Sequence, residues 1–255
     1  MVHSLDQSVI FHYLCTKFMA REKIFRFKQF QVMNDRTAMK VGTDGVLLGA
    51  WCPIESARRV LDVGTGCGVI ALMIAQRNPV ASIVGIDIEP NAVEESALNF
   101  ANSRWGDRLR AINMDFNQMA TTKAQFDFIV SNPPFFTDSL LPPDQSRMLA
   151  RHTQSLSYRQ LIEGASSLLT ADGQLALISP VEAEATIIEA ATFESLAIRH
   201  LTRVIPVEGA VAKRILWLLS RRDTPHAEDT LTIAHADGTF TEEYINLTRA
   251  FYLKM

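Results

Sequence analysis

Asn132-Pro133-Pro134-Phe135 closes an apolar run that begins at Phe126. Proline ends a hydrogen-bond ladder and restricts the residue before it, so Asn132 is held extended and Pro133 and Pro134 are rigid. That costs nothing if the stretch only terminates a strand. It is also what a site needs to hold a planar polar ring at one fixed height.

A second group of residues sits upstream. "VLDVGTGCGVIAL" places Gly64, Gly66 and Gly68 between a strand-like run and a helical one. Glycines there let the backbone turn tightly and let a ligand lie against it. The dinucleotide fingerprint G-x-G-x-x-G would need glycine at position 69, which is Val69, so the spacing is G-x-G-x-G. No G-x-x-x-x-G-K-[ST] occurs, so a nucleoside triphosphate is not implied. Asp87 ends the next strand-like run, 21 residues after Gly66. A carboxylate at that edge can accept both hydroxyls of a ribose. Asp115, in "NMDF", ends the third run and could accept from an adenine amine. Each aspartate alone is a cap or turn residue. Together, at successive strand ends beside one glycine loop, they point to an adenosine-containing cofactor without a pyrophosphate.

These residues need a frame, and the chain supplies an alternating one from Arg58 on. Strand-like runs at 58–63, 82–87, 109–115, 126–132 and 174–180 alternate with helical runs at 68–77, 90–105, 158–169 and 181–195. That alternation predicts a parallel sheet with helices on both faces. "AIRHLTRVIPV" and "KRILWLLSR" follow as two late antiparallel strands. Ahead of Arg58, "IFRFKQFQV" alternates with period two and is expected to pair with "TAMKVG" as a hairpin. No repeat or linker is visible, so one domain is expected: residues 58–255, with 1–57 as an N-terminal extension and cap. A composition change at Met19 suggests that residues 1–18 are not native.

Bulk properties narrow the class. Of 255 residues, 47% are hydrophobic and 21% charged, with a net charge of −3. With a pI near 6.1 the molecule as a whole is not a strongly basic nucleic-acid binder, so any RNA site is a local patch. Candidate patches are Arg21 to Lys28, then Arg147, Arg151 and His152, and later Lys213-Arg214. Cys15, Cys52 and Cys67 show neither a CxxC pair nor metal-ligand spacing, so no metal is expected and a reducing cytoplasm is the simplest setting. No apolar run is long enough to span a membrane.

"VLDVGTGCG", "GIDIEP", "NMDF" and "SNPPF", in that order, resemble the class I methyltransferases that use S-adenosyl-L-methionine. The Asn-Pro-Pro-aromatic form is similar to their amino-methylating branch. The implied fold is α/β: a doubly wound, mostly parallel seven-stranded Rossmann-like sheet with late antiparallel strands. Within that resemblance the chemistry follows. An exocyclic amine is a poor nucleophile because its lone pair is delocalised into the ring. The Asn132 side-chain oxygen and the Pro133 carbonyl can accept its two N–H bonds, with Pro134 stiffening the turn. Phe135 can then stack on the base. The resemblance also implies Asp62, Gly64, Gly66, Gly68, Asp87, Asp115 and Asn132 as cofactor contacts.

Closer still, "FRFKQFQVMNDRTAMKVGTDGVLLGAW", "NPPFF", "DSLLPPDQSRMLARHTQSLSYRQLI" and "GAVAKRILWLLSR" resemble the YfiC family. Its members methylate N6 of the adenine at position 37, beside the anticodon of a valine tRNA. The family motif implies that Lys40, Thr43 and Asp44 lie near the methionine end of the cofactor. Arg147, Arg151 and His152, at the far end of a long loop, are expected to touch anticodon-stem phosphates. Methylation of a protein glutamine amide or of guanine N2 in ribosomal RNA is the alternative; a non-catalytic cofactor-binding subunit is the reading from another class.

Overall fold

The computed structural model describes residues 24–37, 40–133, 156–222 and 226–254. Its frame is an eight-stranded sheet built on β3 (Arg59–Val63), β4 (Ser82–Asp87), β5 (Leu109–Asn113), β6 (Phe126–Ser131), β7 (Leu169–Pro180), β8 (Ala197–Val207), β9 (Arg214–Ser220) and β10 (Ala227–Ala234). The spatial order is β10-β8-β9-β7-β6-β3-β4-β5. β3 to β7 pair in parallel, and β9 runs antiparallel between β7 and β8. β10, an eighth strand beyond the seven expected, adds in parallel to β8. It is mostly exposed and ends in "TIA", too polar in its first half to read as a strand.

The central strands are apolar on both sides because helices cover both faces. Val60, Phe128 and Val130 face one core, with Val46, Leu47 and Leu48 of α1 (Thr43–Trp51) and Ile70 to Ile74 of α2 (Val69–Arg77). Leu61, Val63 and Ile129 face the other, with Leu161 and Ile162 of α5 (Tyr158–Leu168) and Ile187 of α6 (Glu184–Phe193). Adjacent residues pointing to opposite cores is the two-residue period of a strand. Between them lie α3 (Pro90–Ala101), opened by a proline in its first turn, and the short α4 (Phe116–Ala120); α7 (Glu242–Thr248) closes the described chain.

The N-terminal hairpin differs from expectation. β1 (Ile24–Arg26) pairs with β2 (Gln31–Met33), inside the period-two stretch itself, and not with "TAMKVG". The turn closes through Phe27 N–H to the Phe30 carbonyl at 2.8 Å, and the two rings stack with centroids 4.5 Å apart. Aromatic stacking over a four-residue turn outweighs the weak strand propensity of the later segment. Thr37, the first residue of that segment, instead donates its hydroxyl to Glu95 on α3. The segment 43–51, which follows it, is helical and buried from Gly45 to Ala50; that stretch's apolarity all round hides the helical period.

Candidate active site

The candidate residues collect just past the carboxyl ends of β3, β4, β5 and β6, where ligands bind in open α/β sheets. The turn after β3 is fastened to β4, with the Gly64 and Thr65 amides both donating to the Ile86 carbonyl at 2.9 Å. Gly64, Gly66 and Gly68 all have positive φ, at 70°, 55° and 83°. A Cβ at Gly64 or Gly66 would meet nothing within 4 Å, whereas one at Gly68 would lie 2.4 Å from the Phe100 ring. The first two glycines therefore border open space that a ligand can fill, and the third lets α3 pack close.

Asp62 lies fully buried beneath this turn and accepts from the Thr65 hydroxyl at 2.7 Å. Its other oxygen has no hydrogen-bond partner. Burial pushes its carboxyl up to about 7, against the Thr65 hydroxyl and the Ala71 amide, which pull it down; the Asp87 charge adds to the rise. Gly85 makes room for Thr65 to reach it, since a Cβ there would stand 2.7 Å from the Thr65 oxygen.

Asp87 accepts from the Gly66 amide at 2.9 Å on one oxygen and from the Glu89 amide at 3.0 Å on the other. A carboxylate offers about four lone-pair sites, so two remain for hydroxyl donors. Ile88, next in the chain, is 44% exposed and puts an apolar surface beside them. Asp115 caps α4, accepting from the Asn117 amide at 2.8 Å and from its side chain at 3.1 Å. Both bonds fall on one oxygen, so the cap does not use the other.

At the end of β6 the Ser131 hydroxyl donates to the Val63 carbonyl at 2.9 Å, locking the strand end to the glycine turn. Asn132 follows, half-buried, with buried Pro133 behind it. The Asn132 side-chain oxygen is shielded from solvent and has no partner. Its amide nitrogen would lie 3.8 Å from a Cβ on Gly45, so the first turn of α1 stands directly beside it. The preceding residue, Asp44, accepts from the Arg214 guanidinium of β9 at 2.9 Å, so half of the late basic pair is engaged with a carboxylate. Thr43 is exposed at the helix start. Lys40 donates to the carbonyls of Asp35 and Thr37 at 2.9 and 3.1 Å, which ties it to the approach to α1. Pro134, Phe135, Arg147, Arg151 and His152 lie outside the described residues.

A sequence model of the methyltransferase small domain matches residues 39–199, well over half of the chain. This chain belongs to the methyltransferase small-domain family. Within it, a tRNA1(Val) (adenine(37)-N6)-methyltransferase of Bacteroides fragilis strain YCH46 is 43% identical over 236 residues, covering 92% of this chain and 99% of that protein. The protein of the same name from Phocaeicola vulgatus is 45% identical over 231 residues, 91% of this chain and 98% of its own. Among solved structures, one described as a predicted O-methyltransferase from Agrobacterium tumefaciens aligns with a TM-score of 0.66 at 20% identity, over 82% of this chain and 96% of that one. That likeness is one of fold. S-adenosylmethionine is the methyl donor of this methyltransferase. The residues fit it: open space over Gly64 and Gly66, free acceptor sites on Asp87, and an apolar flank at Ile88.

Two residues of α3 were not singled out from sequence. Glu95 and Asn99, one turn apart and both buried, fasten the approach to the site. Glu95 accepts from the amides of Asp35 and Arg36 at 2.8 and 2.7 Å, and from the Thr37 hydroxyl at 3.1 Å. Asn99 exchanges two bonds with the Met33 backbone and donates to the Cys67 carbonyl of the glycine turn at 2.8 Å. The available signal was a polar pair at i and i+4 on a helix otherwise packed against the sheet.

Proposed function

We propose that this methyltransferase transfers a methyl group to N6 of the adenine at position 37 of a valine tRNA, with Asn132 and Pro133 holding the target amine. The observation that carries the reading is the Asn132 side-chain oxygen, buried and unpartnered at the end of β6 beside the glycine turn. An amide oxygen in that state wants a donor, and an exocyclic amine supplies one. With the Pro133 carbonyl accepting its second N–H bond, the nitrogen is drawn toward tetrahedral geometry and its lone pair is aimed. S-adenosylmethionine, when bound, supplies the electrophilic methyl group. Asp87 is the acceptor for its ribose hydroxyls, and Asp115 and Ile88 border the place of its adenine. Relatives over 40% identical along nearly the whole chain, named for this reaction, support the substrate. Phe135 is assigned to stack on the target base, and Arg147, Arg151 and His152 to anticodon-stem phosphates.

Nucleosides from unmodified tRNA treated with the protein and S-adenosylmethionine, read by mass spectrometry, test this. N6-methyladenosine in valine tRNA is expected, lost with Asn132→Ala while cofactor binding persists, and Arg151→Ala should flatten the salt dependence of tRNA binding. Methylated protein glutamine with no methylated nucleoside would overturn the substrate; near-normal turnover by Asn132→Ala would overturn the clamp.

A further inference from the structure

The Asn132 oxygen has a counterpart. The Tyr158 hydroxyl is likewise shielded from solvent and without a hydrogen-bond partner. Asn132 follows the end of β6 and Tyr158 begins α5. The Tyr158 backbone is fixed by a reciprocal cap, with the Ser157 hydroxyl accepting from the Gln160 amide at 3.2 Å and the Gln160 side chain accepting from the Ser157 amide at 3.0 Å. Its ring packs against the core on the α5 side of the sheet. The hydroxyl is therefore held at one place by packing and by the cap, and not by a bond of its own.

α5 leads from the end of β6 back to the start of β7, which pairs with it in parallel, so its first residue, Tyr158, stands toward the same sheet edge as Asn132. The charges acting on Tyr158 are those of Arg214 and Asp44. These two are bonded to each other, and Gly45, beside Asp44, adjoins the Asn132 amide. A buried hydroxyl left without a partner is costly, and phenylalanine would fill the same space without that cost. Two such atoms, an acceptor and a hydroxyl, stand toward one edge of the sheet. A ligand group reaching either atom would satisfy a polar group already desolvated on folding.

We propose that the Tyr158 hydroxyl donates a hydrogen bond to a ring nitrogen of the target adenine, next to the amine held by Asn132. This rests on the adenine reading above. In adenine the amine is flanked by N1 and N7, both bare acceptors, whereas guanine carries a proton on N1 and an oxygen in place of the amine. An acceptor at Asn132 combined with a donor at Tyr158 thus selects adenine over guanine by hydrogen-bond polarity. The hydroxyl stays a donor at every physiological pH: burial pushes its ionisation up first, the Arg214 charge pulls it down and the Asp44 charge pushes it up.

Tyr158→Phe removes the hydroxyl and keeps the ring. The test compares wild type and Tyr158→Phe on three anticodon-arm RNAs carrying adenosine, 1-deazaadenosine or 7-deazaadenosine at the target. On adenosine the variant is expected to lose about tenfold in kcat/KM, the worth of one hydrogen bond. Its melting temperature and its affinity for S-adenosylmethionine should not fall. Wild type should show a similar loss on one of the two deaza substrates, and on that substrate the variant should lose nothing more. Equal kcat/KM for wild type and variant on adenosine, or a variant loss that persists on both deaza substrates, overturns the Tyr158 assignment alone. A wild-type protein silent on all three RNAs overturns the adenine reading and this one with it.

Discussion

Replacing Glu95 probes how the site is assembled. Its carboxylate is fully buried and takes three donors: the Asp35 and Arg36 amides and the Thr37 hydroxyl. Glu95→Gln keeps an oxygen for the two amides and offers its amide group to the Thr37 oxygen, so only the charge assistance is lost, about 1 kcal/mol. Glu95→Ala leaves two amides without an acceptor, at about 1–3 kcal/mol each. They are part-buried, so water recovers some of this, and about 3 kcal/mol is expected. For a chain of this size, each kcal/mol moves the melting temperature by about 2–4 °C, giving a fall of about 6–12 °C for alanine and a few degrees for glutamine. Thermal unfolding by circular dichroism reads this directly. The same segment leads to α1 and hence to Gly45 and Asn132, so titration calorimetry should show weaker S-adenosylmethionine binding for alanine as well. Alanine and glutamine variants melting within about 1 °C of each other would refute the reasoning, because the acceptor would then be dispensable.

Three further outcomes follow from the glycine turn and the carboxylate beneath it. Gly66→Ala, at φ 55° with open space above, should cost only about 1–2 kcal/mol of stability yet abolish S-adenosylmethionine binding, since the methyl group would occupy the ligand's place. Gly68→Ala, at φ 83° and 2.4 Å from the Phe100 ring, should lose an additional 1–3 kcal/mol or so to overpacking; unimpaired cofactor affinity in Gly66→Ala would refute the placement. Asp62 holds its proton in the folded state up to about pH 7, against 3.8 for an ordinary aspartate, so the folded chain binds more protons between those values and its stability falls as pH rises through them. Asp62→Asn lacks this slope, so its stability relative to wild type should climb between pH 4 and 7 by something on the order of 4 kcal/mol and level off above; a difference that stays constant in urea denaturation across that range would contradict the assignment.

What was legible in the sequence had a local signature. Val60, Leu61, Val63, Phe128, Ile129 and Val130 make two mostly apolar runs, the first broken only by Asp62, which marks strands covered on both faces, and every one is buried. Gly64, Gly66 and Asn132 stood out because each follows a strand, and Asp87 because it ends one. The Phe27–Phe30 turn was missed because ring stacking over four residues leaves no trace in period-two alternation. Helix α1 was missed because a helix buried all round has no polar stripe to show its period. Tyr158 and Glu95 were missed for a different reason, and Arg214, named only as half of a basic patch, was not matched to its carboxylate. Their roles depend on partners 170 residues away for Arg214 and about 60 for Glu95, which no local pattern encodes.

The reversal of β9 gives those distant partners a common origin. Parallel strands deliver only their carboxyl ends to the site edge, so side chains there come from strand ends and the loops that follow. β9 runs the other way, with Arg214 opposite Pro180, the last residue of β7. Its amino end therefore reaches the same edge, and it brings a guanidinium to a place where the loops supply mainly carboxylates. Asp44 on α1 takes up that charge, and α1 belongs to the opposite core from the α5 helix that carries Tyr158. One antiparallel strand thus fastens a helix from one face of the sheet beside a residue from the other, with Asn132 next to that helix. Were β9 parallel, its carboxyl end, Ser220, would stand at the edge instead. Asp44 would then lose the Arg214 guanidinium that fastens the first turn of α1 beside Asn132.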